Sequence, residues 1–217
     1  MSPVPSGRAL TGTAWAVLFL GLWVWGEGAS DGPGPASAPT TGDIAAVGRP
    51  LGAPLPPAHD PLPAAEPRRV EIPSLGIAAP VVARGLDADG AIDPPPYAMP
   101  QTVGWYGSGT RPGASGAALF VGHVDTRSRP AVFYGLSAAR PGATVRVTRS
   151  DGSVAEFTID DVQVLPRDRF DARKAYGPHL PGRAELRLIT CGGTFDRETG
   201  TYTANVVVSA YLTGARG

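Results

Sequence analysis

A chain of 217 residues with 19 Lys and Arg against 19 Asp and Glu carries no formal net charge and no long run of one sign, which leaves nucleic acid and acidic surfaces without an electrostatic hold on it. Gly at 29 and Pro at 24 are both abundant, and such residues punctuate chains of short strands and turns, so one β-rich domain is expected. The single cysteine excludes an internal disulfide.

Residues 9–25, ALTGTAWAVLFLGLWVW, form an uncharged apolar run of seventeen, long enough to cross a bilayer as a helix. A transmembrane signal anchor over residues 9–26 is the expectation, behind a cytoplasmic segment 1–8. A cleaved signal peptide is the rival, with Gly28-Ala29-Ser30 as a small-residue cleavage region. Arg8 before the run and Glu27 after it favour an N-terminus inside and the rest of the chain outside the membrane. Residues 27–66 are dominated by Pro, Gly and Ala without helical or strand periodicity, and read as an extracytoplasmic tether of about 3 Å per residue where stretched. His59 within it is expected to be inert.

From Pro67 the texture changes. RRVEIPSLGIAAPVV supplies two alternating runs around a Pro-Ser turn, and further strands are predicted over 117–124, 144–148, 153–165, 184–190 and 205–212. Helical signal is short, around 130–138 and 167–176, so neither a doubly wound sheet nor a helical bundle is supported. An all-β domain over 67–217 with a few short helices, closed as a barrel, fits this spacing.

Two strand ends carry candidate chemistry. AELRLITCGGTFD puts Cys191 at the end of an alternating strand, followed by two glycines that permit close backbone approach. A free cysteine outside the cytoplasm is either a small buried hydrophobe or a nucleophile. GAALFVGHVDT puts His123 where an apolar run turns polar, with Asp125 two residues on. A histidine there can shuttle protons, and Asp125 either orients the imidazole or stabilises a turn. One cysteine and three scattered histidines show no zinc-type spacing, so no metal or cofactor is expected.

VGHVDT around His123 and LITCGGTFD around Cys191 resemble the two signature blocks of sortases. The resemblance extends through RRVEIPSLGIAAPV, VGWYGSGTRPGASGAALFVGHVDT and TYTANVVVSAYL, covers residues 67–217, and is strongest to actinobacterial class F sortases. It implies an eight-stranded β-barrel in which a Cys, a His and an Arg converge on one groove, with Cys191 as nucleophile and His123 as proton-transfer partner. Class F relatives often carry Tyr-Arg-Asp-Asn where this chain has TYTAN, so the family's arginine falls on Thr203. Arg197, in the loop after Cys191, is taken as the substitute. Arg187, four residues before Cys191 and on the same face of a regular strand, is the second choice, and Thr190 joins Asp125 and Arg187 as supporting residues.

The resemblance further implies a cysteine transpeptidase. Cys191 would attack a Leu-Pro-x-Thr-Gly-like sorting signal in a secreted protein, and the thioacyl-enzyme would pass its acyl group to an amine of a cell-wall precursor, without a cofactor. A hydrolytic cysteine peptidase with the same dyad and a surface binding domain that has kept only the fold are the alternatives. A monomer held at the cell membrane is the expected form.

Overall fold

A computed structural model describes residues 54–217 apart from Asp89. The expected cytoplasmic segment, the anchor over 9–26 and most of the tether lie outside the described residues. Among the described residues no helix is long and apolar enough to cross a membrane.

Eight strands carry the fold: β1 (Pro67–Ile72), β2 (Ile77–Arg84), β3 (Val103–Tyr106), β4 (Gly116–Val121), β5 (Thr144–Arg149), β6 (Val154–Pro166), β7 (Ala184–Asp196) and β8 (Thr201–Arg216). They close in the order β1-β2-β3-β4-β7-β8-β6-β5. Closure leaves no unpaired sheet edge and explains how so many short strands form one body. Alternation along each strand sends one residue set inward: Val70 and Ile72 of β1, Phe120 of β4, Phe157 and Ile159 of β6, Leu186 and Leu188 of β7, and Val208 and Leu212 of β8 are all fully buried in a single core.

The expected strands are present, several with longer ends, but β4 stops at Val121 instead of 124, because the chain turns out of the sheet at Gly122 against Phe133 and Val132 and leaves His123 past the strand. β7 continues past Thr190 to Asp196, and β8 begins at Thr201 rather than Asn205, because the two form a hairpin beyond the barrel rim, pairing Phe195 with Tyr202 and Asp196 with Thr201. β3 was not foreseen. Its four residues contain Gly104, where an added Cβ would meet Arg84 Cγ at 2.8 Å and the Pro95 ring at 3.2 Å. A glycine that admits neighbours this closely weakens the period-2 signal. Of the two helical signals, 130–138 yields a 3₁₀ turn at Leu136–Ala138 and 167–176 yields a 3₁₀ turn at Arg167–Arg169 followed by α1 (Ala172–Tyr176). Asp171 caps α1 through its side chain, accepting from the Arg173 and Lys174 backbone N–H groups.

Residues 54–66 have no regular structure, yet they lie on the barrel instead of continuing the tether. The His59 N–H donates to the Leu212 carbonyl at 2.9 Å and the Leu62 N–H to the Gly113 carbonyl at 2.7 Å. The Tyr211 hydroxyl donates to the Pro56 carbonyl at 2.5 Å, the buried Arg149 guanidinium donates to the Pro63 carbonyl, and Ala65 is buried. Prolines preset the extended backbone that this docking uses, so a composition read as a spacer also serves as a strap.

β7 is the strand on which the site depends. Ala184 to Thr190 are buried without interruption, because its inner face meets the core and its outer face is covered too. Ile189 packs with Val121, Val207, Ala175 of α1 and Ile92 in a second apolar cluster. Below it, Glu185 and Arg187 are fully buried on the same outer face. Glu185 accepts from Arg183 Nε at 2.9 Å, Arg187 Nη2 at 2.5 Å and the His179 and Leu180 backbone N–H groups at 2.9 and 3.0 Å. Arg187 also donates to the Gly177 carbonyl at 2.7 Å. This network ties the loop after α1 down onto β7.

Burial alone would raise the Glu185 carboxyl, but the His179 N–H, Arg187, the Leu180 N–H and Arg183 outweigh it and bring it to about 2, against an ordinary 4.5. A carboxylate held below its unfolded value stabilises the fold above that value, and the contribution fades as pH falls from 4.5 toward 2. Glu185→Gln should therefore cost about 3–5 kcal/mol at neutral pH, since it strands the fully buried Arg187 guanidinium without a carboxylate, while Arg183 keeps Asp160. Urea unfolding at pH 7 and at pH 3 checks this: the gap between wild type and variant should narrow at the lower pH.

Candidate active site

The pairing of β4 with β7 brings the candidate residues together. The two strands are parallel, with Val121 opposite Ile189, and the Gly122 N–H continues the ladder by donating to the Ile189 carbonyl at 3.1 Å. His123 lies two residues past Val121, and Cys191 two past Ile189. The register thus brings His123, just past the end of β4, to the same end of the barrel as Cys191 on β7. Gly122 is needed for this: an added Cβ would meet Phe133 and Val132 side-chain carbons at 2.6 and 2.7 Å.

Cys191 shares the outward parity of Glu185, Arg187 and Ile189. Immediately after it the β7–β8 register shifts between Gly192 and Phe195. Gly193 takes φ +75°, and a Cβ there would meet Thr203 Oγ1 at 2.5 Å, while a Cβ on Gly192 would meet Val206 Cγ2 at 2.6 Å. The two glycines permit a bulge that bends the hairpin away from the barrel. Cys191 is left half-buried on the wall of an open groove of roughly 1130 Å³.

Tyr97, Asp125, Arg127, Arg129, Arg167 and Phe195 are among its other walls. The loop bearing Arg127 and Arg129 is folded on itself: Thr126 Oγ1 accepts from the Ser128 and Arg129 N–H groups at 3.4 and 3.2 Å, and the Thr126 N–H donates to the Arg129 carbonyl at 2.8 Å.

The imidazole of His123 is held by a neighbour that sequence reasoning missed. Its Nε2 lies 2.6 Å from the Pro95 carbonyl, and the Tyr97 ring stacks on it with centroids 4.2 Å apart and planes 20° apart. A carbonyl can only accept, so Nε2 carries the proton, and in the neutral ring Nδ1 keeps the free lone pair. Three consecutive prolines, Pro94 to Pro96, make this segment stiff. It is anchored at one end by the Arg84–Asp93 ion pair and at the other by the Val132 N–H donating to the Pro100 carbonyl at 2.8 Å. The proline run was the available signal, but nothing in one dimension says which side chain it covers.

Among the described residues the imidazole is held by the Pro95 carbonyl and not by Asp125. The Asp125 carboxylate accepts from the Tyr202 hydroxyl at 2.5 Å, which raises the Tyr202 phenol to about 12. Thr190 is buried with its Oγ1 unpartnered. Arg187, expected as the second-choice cation, is spent on Glu185 and the Gly177 carbonyl beneath the α1–β7 loop, away from the groove. Arg197 sits in the exposed turn between β7 and β8 and is not among the groove's walls. The structure puts Cys191 and Asp125 on one groove, sets His123 beside it against the groove residue Tyr97, and leaves Arg197 and Arg187 outside. Thr203 receives a hydrogen bond from the Thr194 N–H at 3.0 Å.

Burial pushes the Cys191 thiol up, the Arg167 guanidinium pulls it partly back, and the Asp125 carboxylate pushes it up again. The resting thiol is thus protonated at neutral pH and needs a base or a cation to become a nucleophile. Among the described residues no three His, Cys, Asp or Glu side chains converge as a metal site.

The family model described as Sortase domain matches residues 70–213, and the chain belongs to the sortase family. Solved structures of similar fold include sortase C-1 from Actinomyces oris, 21% identical over 67% of this chain and 71% of that one, with a TM-score of 0.50. A lid mutant of sortase A from Corynebacterium diphtheriae is 16% identical over 67% and 69%, at 0.51, and the pilus-related sortase C of Group B Streptococcus is 14% identical over 70% and 69%, also at 0.51. No curated protein matches the sequence.

Because Cys191 is the only cysteine, its ionisation is readable by alkylation without interference. Asp125→Asn removes a carboxylate that disfavours the thiolate, so the pH dependence of iodoacetamide labelling should move to lower pH than in wild type.

Proposed function

We propose that this protein is a cysteine transpeptidase of the cell surface. It cleaves a Leu-Pro-x-Thr-Gly-like sorting signal in secreted proteins and transfers the acyl group to an amine of a cell-wall precursor. The observation that carries the reading is the placement of His123, just past the end of β4, beside the β7 residue Cys191 through the β4–β7 register, at a groove open enough for an extended peptide. Membership of the sortase family supports the same chemistry. The match of residues 67–217 to class F blocks supports that subgroup.

The cycle uses the atoms described above. The Cys191 thiol first gives its proton to His123 Nδ1, and the resulting thiolate Sγ forms a bond to the carbonyl carbon as the carbonyl π pair moves to oxygen. The tetrahedral adduct collapses with cleavage of the C–N bond, and the departing amine takes a proton from the His123 imidazolium at Nδ1, since Nε2–H is engaged with the Pro95 carbonyl. The acyl group is now a thioester on Cys191. An incoming amine gives its proton to the same nitrogen as it attacks, and collapse of the second adduct returns the thiolate. Tyr97 stacked on the imidazole holds the ring plane between the two halves. Water in place of the amine gives hydrolysis. The apolar run 9–25 anchors the protein at the membrane in this reading, and a monomer meets its substrates there without cofactor.

Mass spectrometry of the full chain with a sorting peptide and a small amine tests the proposal. Wild type should show an acyl adduct on Cys191 and the amine-ligated peptide. Cys191→Ala should show neither, and His123→Ala should lose about 10²–10⁴-fold in rate. Release of the free acid alone, with amine present, would make the protein a peptidase.

A further inference from the structure

We propose that Arg167 supplies the cation of this active site, facing the Cys191 sulfur before attack and the developing oxyanion after it. The inference rests on the acyl-transfer reading above and concerns a residue that lies before, not after, the nucleophile in the chain. Attack on a carbonyl places a full negative charge on its oxygen, and a half-sheltered groove makes a pre-placed donor valuable there. Arginine serves because it donates without ever losing its own proton.

The arginines of the described chain sort by what already holds them. Arg187 and Arg183 are committed to Glu185, Arg84 to Asp93 and Arg149 to Asp151. Arg197 lies in the turn beyond the groove. Arg127 and Arg129, on the loop after His123, line the groove as well and are exposed, as Arg167 is. Arg167 differs from these two in bordering a second concavity beside the groove and in being the arginine whose charge reaches the Cys191 thiol. Among the described residues it pairs with no carboxylate, for its neighbour Asp168 pairs with Arg169 at 3.8 Å. It lines the Cys191 groove and also the adjoining concavity formed by Thr201 to Ala204.

Register explains its position. Pro166, the last residue of β6, pairs with Ala204 of β8, and Cys191 of β7 pairs with Asn205 of β8. Leu165 pairs with the same Asn205 and is the β6 residue level with Cys191, so Arg167 leaves the strand two residues beyond that level, with only β8 between them. Two strand spacings of about 10 Å and two residues of rise, about 7 Å, make a backbone gap of about 12 Å, which a long arginine side chain and a substrate carbonyl divide between them. The β8 residues on that path, Thr203 and Ala204, are short. The charged and titratable groups around the thiol are Arg167 just past the end of β6, Asp125, Arg127 and Arg129 from the loop after β4 with His123 before them, Tyr97 from the proline segment and Tyr202 from β8. Arg167 is the cation that favours the thiolate among those acting on it.

In the covalent step the guanidinium accepts no atom and gives none. It donates hydrogen bonds to the oxyanion while the sulfur–carbon bond forms and the carbon–nitrogen bond breaks, and it releases them when the thioester carbonyl is restored.

The test uses the full chain in four forms: wild type, Arg167→Ala, Arg167→Lys and the double variant Arg167→Ala with Thr203→Arg. Two readouts are taken, the pH profile of iodoacetamide labelling at Cys191 and the rate of acyl-enzyme formation with a sorting peptide. Arg167→Ala should move the labelling profile to higher pH and lower kcat by about 10²–10³-fold with little change in KM. Arg167→Lys should restore the labelling profile more than kcat, because a point charge lacks the guanidinium fork. Thr203→Arg should recover a large part of both losses by returning a guanidinium to the same rim from β8, which a mere folding defect would not allow. A labelling profile that superimposes on wild type together with kcat within about threefold overturns the proposal, as does loss of activity in Arg197→Ala while Arg167→Ala stays active. If wild type forms no acyl-enzyme with any sorting peptide, the acyl-transfer reading fails, and the labelling profile still decides whether Arg167 acts on the thiol.

Discussion

Everything at the groove depends on the parallel pairing of β4 with β7. Parallel strands cannot be joined by a tight turn, so the residues they align come from distant parts of the chain, and a shift of one residue would turn every side chain to the other face. Val121 opposite Ile189 fixes that register, and with it the placement of His123 and Cys191 at one end of the barrel. Burial of β7 on both faces makes slippage costly. The inner face is locked by Leu186 and Leu188 in the core, the outer face by Ile189 against α1 and by the Glu185–Arg187 pair under the following loop.

That buried pair clarifies a division of labour along one face of one strand. Glu185, Arg187, Ile189 and Cys191 share the outward parity of β7, yet each meets a different environment as the strand climbs toward the rim. The first two are roofed by residues 177–180 and form a satisfied ionic network. Ile189 is roofed by apolar side chains. Only at Cys191 does the roof end, and the bulge at Gly193 then carries the hairpin outward. Exposure of the thiol here comes from the place where covering stops.

The histidine is governed by a segment that makes no part of the barrel. Pro95 fixes the proton on Nε2 through its carbonyl, and Tyr97 holds the ring plane. A backbone carbonyl on a triple-proline run is a stiff partner that cannot itself titrate, whereas the nearby Asp125 is occupied by Tyr202. The site thus orients its imidazole without placing a carboxylate's charge on it, and the carboxylate's influence falls on the thiol instead.

The sequence by itself determined the β-rich class, most strand positions and the two strand ends that carry Cys191 and His123, because period-2 alternation and a polar residue closing an apolar run are local properties. It also marked Gly192 and Gly193 as backbone devices. It did not determine β3, the docking of residues 54–66 or the cover over His123, since a four-residue strand, a proline tract and a loop have no periodicity from which a partner is legible. The arginine was decided only in three dimensions. Sequence distance pointed to Arg197 and strand parity to Arg187, but the tip of a hairpin carries the first away and the α1–β7 loop buries the second. Arg167 precedes the cysteine by more than twenty residues and reaches the same rim because barrel closure sets β6 beside β8 and β8 beside β7. Adjacency across a sheet follows hydrogen-bond register, and register between distant segments is fixed by which faces must be buried together.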